Sequence, residues 1–201
     1  AEEREASSLK LIAEGAPANA VLEAITRNVE AAHPGMRCSV MLVDASGGRL
    51  RLKTAPGLPD FAQAAIDGLL IGPDSACCGA AAHSGMRVIC PDVLADARME
   101  PFYKVALKAG LRACWSMPIL HSDGSPVAAF AVYRDSAKGP TETDLAVLAH
   151  FAKIAALGIE HVRRDEALRE SERRALQLAE NVDEIFWIAT VTDNRVLYVN
   201  P

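Results

Sequence analysis

Cysteine supplies most of the chemistry this sequence could perform. Cys77 and Cys78 sit side by side in the run Asp74-Ser75-Ala76-Cys77-Cys78-Gly79-Ala80-Ala81-Ala82-His83-Ser84-Gly85, and Cys90 and Cys114 follow. A thiol near a helix N-terminus is biased toward thiolate by the aligned peptide dipoles, which suits a redox sensor or a covalent attachment point. The plainer reading is that a buried cysteine is a small hydrophobe. Cys77, Cys78, His83 and Cys90 come nearest to a metal-ligand set, but the spacing lacks a Cys-x-x-Cys pair, so zinc is not expected. His83 has the chemistry to ligate haem, although its place as a polar residue closing a short helix accounts for it better. Asp92, after Pro91, either caps a turn or meets a ligand. No Ser-His-Asp arrangement, glycine-rich phosphate loop or close carboxylate pair argues for hydrolysis or phosphoryl transfer.

These residues need elements to hold them. Asp74 or Ser75 can cap a short helix that Gly85 ends, because glycine accepts the left-handed conformation. Val88 and Ile89 then favour a strand, which Pro91 stops. A helix of small residues leading into a short strand is suited to roofing a pocket. Upstream, residues 2–14 read as a charged amphipathic helix with Leu9 and Ile12 on one side. Pro17 can start a second helix with a stripe of Val21, Leu22, Ile25 and Val29. Residues 37–44 alternate, Cys38, Val40 and Leu42 facing one way and Ser39, Met41 and Val43 the other, as in a strand covered on both faces. Leu50, Leu52 and Thr54 mark a more exposed strand after the Ser46-Gly47-Gly48 turn. Residues 95–110 hold a helix, and strands at 114–120 and 127–133 flank the turn at Asp123-Gly124.

One alternating set on the strand at 114–120 must face the pocket. Trp115 and Met117, the large apolar pair, are the candidates over Cys114 and Ser116. The expected lining is then Met41, Cys77, Cys78, Asp92, Phe102, Tyr103, Trp115 and Met117, mostly apolar with a few polar groups. A long helix begins at Thr141 or Thr143. Leu145, Leu148, Ala152, Ile159 and Val162 form a 3–4 seam that restarts out of phase at Leu168, the pattern of a parallel coiled coil between two chains.

Half of the 201 residues are hydrophobic and 5% aromatic, so the core must be built from Ala, Val, Leu and Ile. A net charge of −5 argues against a general nucleic-acid binder. No apolar run approaches the ~20 residues of a membrane span, and the N-terminus lacks the pattern of a signal peptide. Five cysteines, an odd number without a framework, suit reduced thiols in a cytoplasm. The first residue is not Met, and the chain is expected to be a piece of a longer one.

Three stretches taken in order, Ser75 to Ala81, Arg87 to Val93 and Ala109 to Ile119, resemble a GAF domain of bacterial sensory proteins. Asn181 to Ala189 and Val196 to Pro201 are similar to the opening of a PAS domain. The resemblance implies an α+β fold, an α/β/α sandwich around an antiparallel sheet of five or six strands. The long helices would cover one face and the small-residue helices the other. The implied division is an upstream connecting helix at 1–14, a sensory domain at 15–160, a coiled-coil linker at 161–180 and a truncated PAS domain at 181–201. It further implies a non-catalytic module of a histidine kinase or of a cyclic-di-GMP synthase or hydrolase. Such a module would sense an unknown small ligand or redox state and signal as a homodimer through its N- and C-terminal helices. Relatives that attach bilins use a Cys-His dipeptide, which is missing here, so no cofactor is evident. Cys78-Gly79-Ala80-Ala81 also echoes relatives that reduce free methionine sulfoxide, which leaves a thiol-dependent reductase as an alternative. A ligand-free dimerisation domain is another.

Overall fold

The computed structural model describes residues 10–121, 123–180, 187–189 and 196–199. The chain divides into two units, Ala1–His161 and Val162–Pro201. In the first, a turn of helix at Lys10 to Ala13 leads into α1 (Ala18–Ala32), whose Val21, Leu22, Ile25 and Val29 are all buried. The strands β1 (Met36–Val43), β2 (Arg49–Thr54), β3 (Leu69–Leu70), β4 (Val88–Cys90), β5 (Ala113–Leu120) and β6 (Pro126–Arg134) form one antiparallel sheet. Its order is β3-β2-β1-β6-β5-β4, so β1 and β6 lie at the centre. Between strands come α2 (Asp60–Ile66), α3 (Cys77–Ser84), a 3-10 turn (Ala97–Phe102) and α4 (Tyr103–Lys108). The last helix is α5 (Glu142–Glu180). Among the described residues no helix is long and apolar enough to cross a membrane.

Period-two alternation sorts the sheet residues between two cores. Cys38, Val40, Trp115, Ile119, Phe130 and Val132 meet α1 and the first half of α5. Met41, Cys114, Ala129, Ala131 and Tyr133 meet α3 and the segments around it. The expected sandwich, long helices on one face and small-residue helix on the other, is what the chain builds. Glu30 fastens α1 to the sheet, accepting from the Cys38 N–H at 2.8 Å and the Gly57 N–H at 3.2 Å. Gly158 of α5 lies against the chain's beginning: a Cβ there would be 3.0 Å from Val21 Cγ1 and 3.7 Å from Ile12 Cδ1.

The expected dimer seam is corrected over its first part. Leu148, Ala152 and Ile159 are buried within their own domain, in the core shared with α1. The 3–4 spacing records an apolar stripe, and the sheet face supplies its partner inside the same chain. Leu145 is half-buried, while the side chains of Val162 and Leu168 lie outside the described residues. In the second unit, β7 (Trp187–Ala189) pairs antiparallel with β8 (Val196–Val199). Leu9 of the upstream helix also lies outside the described residues.

Candidate functional site

The residues of α3 are small because the helix lies almost on the sheet. It packs over β5 and β6, where Cys114, Ser116, Ala129 and Ala131 present equally small side chains. No side chain caps its start: the helix begins at Cys77 after Ala76, and Ser75 instead donates its hydroxyl to the Leu70 carbonyl at 2.6 Å. This corrects the expected cap and gives Ser75 another task, anchoring the α3 approach to β3. At the other end Gly85 takes φ 66° and donates its N–H to the Ala81 carbonyl, as expected of a left-handed helix stop.

Beside α3 the second core is not filled. An apolar cavity of about 50 Å³ is walled by α2, α3, α4, the 3-10 turn and the sheet. Met41, Cys77, Cys78 and Phe102 line it, joined by Met99, Cys114 and Tyr133, which were not in the expected lining. Tyr133 shares a 3.0 Å hydrogen bond with Ser39, and burial raises its phenol well above the ordinary range. Tyr103 turns away, donating its hydroxyl to the Asp96 carbonyl at 3.1 Å.

Trp115 and Met117 correct the expected lining. Both belong to the opposite core, under α1 and α5, and Cys114 and Ser116 hold the cavity side of β5. The reason is steric: bulky side chains would hold α3 off the sheet. Asp92 also stands apart from the cavity. Its carboxylate accepts from the Leu94 N–H at 3.1 Å and from Arg112 at 3.2 Å, a turn cap and an ion pair. Both side chains of that pair are about one-third exposed. Asp92→Asn is therefore expected to lower stability by less than ~1 kcal/mol, read as the shift of a urea midpoint. His83 is exposed and does not line the cavity, so it is not placed to serve a group bound there.

Three thiols, Cys77, Cys78 and Cys114, line this wall, and Cys90 belongs to the same buried cluster. Cys90 is the register partner of Cys114 across β4 and β5, and all four are buried. As a thiol, Cys77 donates to the Cys114 carbonyl at 3.6 Å and touches Met99 Sδ at 3.9 Å. Once ionised it accepts from the Cys114 and Cys90 thiols and feels the Arg98 cation, which together pull it below the ordinary thiol range against the opposing effect of burial. Cys114 is pushed up, since its proton is held between Cys77 and Cys78. Cys90 is pushed up by its own bond to Cys77. Cys78 is likewise pulled below the ordinary thiol range by the Cys114 thiol, so the cluster should lose its first proton from the Cys77–Cys78 pair. The expected result is a thiolate absorbance step below the ~8.5 of a free thiol, missing when Cys77 and Cys78 are both replaced by serine. A titration with no step under that value would contradict the arrangement. Among the described residues no three His, Cys, Asp or Glu side chains are arranged to hold a metal ion.

Layered helices on a six-stranded antiparallel sheet, with a cavity on one face, make an α+β sandwich domain. The family model described as GAF domain matches residues 16–160, and the chain belongs to that family. The methyl sulfide methyltransferase-associated sensor of Methanosarcina acetivorans is 35% identical over 180 residues. That match covers 90% of this chain and 18% of the relative, so the chain spans under one-fifth of the relative's length. Among solved structures, a methyl-accepting chemotaxis protein fragment, residues 122 to 287, superposes with a TM-score of 0.66 at 20% identity, covering 82% of this chain and 99% of that one. The free methionine-R-sulfoxide reductase from Neisseria meningitidis superposes with a TM-score of 0.63 at 23% identity, over 78% and 86% of the two chains. The two structures share the fold.

Proposed function

We propose that this domain is the sensory module of a longer signalling protein, taking up a small ligand of low polarity and passing the change through α5. The single supporting observation is the cavity, a buried space in a domain related to a sensor. Its size limits the ligand. A ~150 Å³ cavity holds benzene, so about 50 Å³ leaves space for roughly two or three heavy atoms. Haem or a flavin is far larger. The name of the Methanosarcina relative makes methyl sulfides the first compounds to try. A ligand switches the module only if it binds two states with different affinity.

The partners follow from the same reading. The module works as a homodimer, the contact falling on the exposed side of α5, where Leu157 is 55% exposed, and on the residues from 161 onward. A PAS domain and then a histidine kinase or cyclic-di-GMP enzyme receive the signal, and the setting is cytoplasmic. Catalysis by this domain itself is not part of the reading. The cavity lining carries no cationic side chain to hold the carboxylate of an amino acid such as methionine sulfoxide. Native mass spectrometry with a visible absorption spectrum tests the proposal, followed by calorimetric titration with dimethyl sulfide. A saturable heat that disappears when Ala106→Leu fills the cavity supports it. A domain that dimerises, carries nothing and binds no small apolar compound is a ligand-free dimerisation element instead.

A further inference from the structure

The thiols of the cavity wall are arranged for more than lining. Cys114 has Cys90 opposite it across the strand pair, and Cys77, at the start of α3, in contact with its backbone carbonyl. Cys90 is a competing partner, since register partners on antiparallel strands have Cα atoms ~4.5–5.5 Å apart, inside the ~4.4–6.8 Å span of a disulfide. Cys77 approaches from above, its sulfur 3.6 Å from the Cys114 carbonyl oxygen. Access is short. An open cleft of about 590 Å³, with Arg49, Asp67, Asp74 and Arg98 on its walls, shares Leu69, Ala76 and Phe102 with the cavity. Those three residues face both spaces, so small movements of their side chains would connect the two.

We propose that Cys77 and Cys114 form a reversible thiol switch, oxidised by small hydroperoxides that enter from the open cleft. The inference rests on the sensory reading and names a second kind of input to the same cavity. Cys77 thiolate attacks the outer oxygen of the hydroperoxide. The S–O bond forms as the O–O bond breaks, and the departing alkoxide takes a proton and leaves as the alcohol, or as water from hydrogen peroxide. Cys77 is then a sulfenic acid. The Cys114 sulfur attacks it, the S–O bond breaks, and the hydroxide leaves as water with the Cys114 proton. The sum is two thiols and one hydroperoxide giving one disulfide, one alcohol and one water. The new bond would tie the start of α3 to β5. Two thiols of an external reductant restore the original state.

Trypsin separates the partners, because residues 54–87 carry Cys77 and Cys78, residues 88–98 carry Cys90, and residues 113–134 carry Cys114. The full chain is treated with a modest excess of hydrogen peroxide, blocked with an alkylating agent and digested without reductant. The expected product joins 54–87 to 113–134. It is lost in Cys77→Ser and Cys114→Ser and kept in Cys78→Ser and Cys90→Ser. The parent chain gives a readout that needs no variant: its five free thiols should fall by two and return with dithiothreitol. No cross-link, one that survives Cys77→Ser, or one through residues 88–98 overturns the proposal. Titration of the reduced protein with dimethyl sulfide is read separately, so failure of the switch and failure of the ligand reading are distinguishable.

Discussion

Gly79→Ala is expected to destabilise the domain by about 3 kcal/mol, the upper range for forcing extra volume into a packed site. A methyl group at Gly79 would run into the Leu70 carbonyl oxygen and Ser75 Oγ, and it would lie 2.7 Å from Ser75 Cβ. The first obstacle is backbone in β3, and the second is held by its own hydrogen bond to that carbonyl. Neither can swing aside like the tip of a long side chain. Alanine favours a helix by ~1 kcal/mol over glycine, which offsets only part of the clash. Urea denaturation should show a lower midpoint with little change in slope. An unchanged midpoint would mean that α3 can lift from the sheet at small cost, and the cavity roof would then be far looser than its packing suggests.

Trp115→Ala should cost about 4 kcal/mol, as expected for emptying the site of a large buried aromatic. The indole is 1% exposed, and Arg134 lies over it 5.9 Å from the ring centre. Its Nε1 has no hydrogen-bond partner among the described residues. Trp115→Phe therefore loses volume and no hydrogen bond seen here, and should cost less than ~1.5 kcal/mol. Neither change touches the cavity, so the folded Trp115→Phe protein should bind small apolar probes like the parent. Weaker binding at unchanged stability would return Trp115 to the lining.

The face assignment of β1 was readable directly from the sequence, because both of its alternating sets are apolar and the strand is covered twice. Gly85 as a helix stop was equally legible, since a left-handed turn leaves few alternatives. Trp115 shows where such reading fails. Alternation tells which residues share a face, but it does not tell which face holds the cavity. The usable signal was the run of small residues in α3, which demands small residues beneath it and so selects Cys114 and Ser116. Leu148, Ala152 and Ile159 fail for a different reason: an apolar stripe looks the same whether its partner is another chain or its own sheet. Met99 had no signal at all, because it enters the cavity from a 3-10 turn without periodicity.

The contact at Gly158 bears on how a signal could cross the domain. Ile12, before α1, and Val21 both rest where α5 has no side chain of its own. Close-packed contacts of this kind transmit strain rather than absorb it. The stretch leading in and the helix leading out are thus geared together like meshed teeth. A twist applied at residues 10–14 would load α5 directly, whatever the state of the cavity.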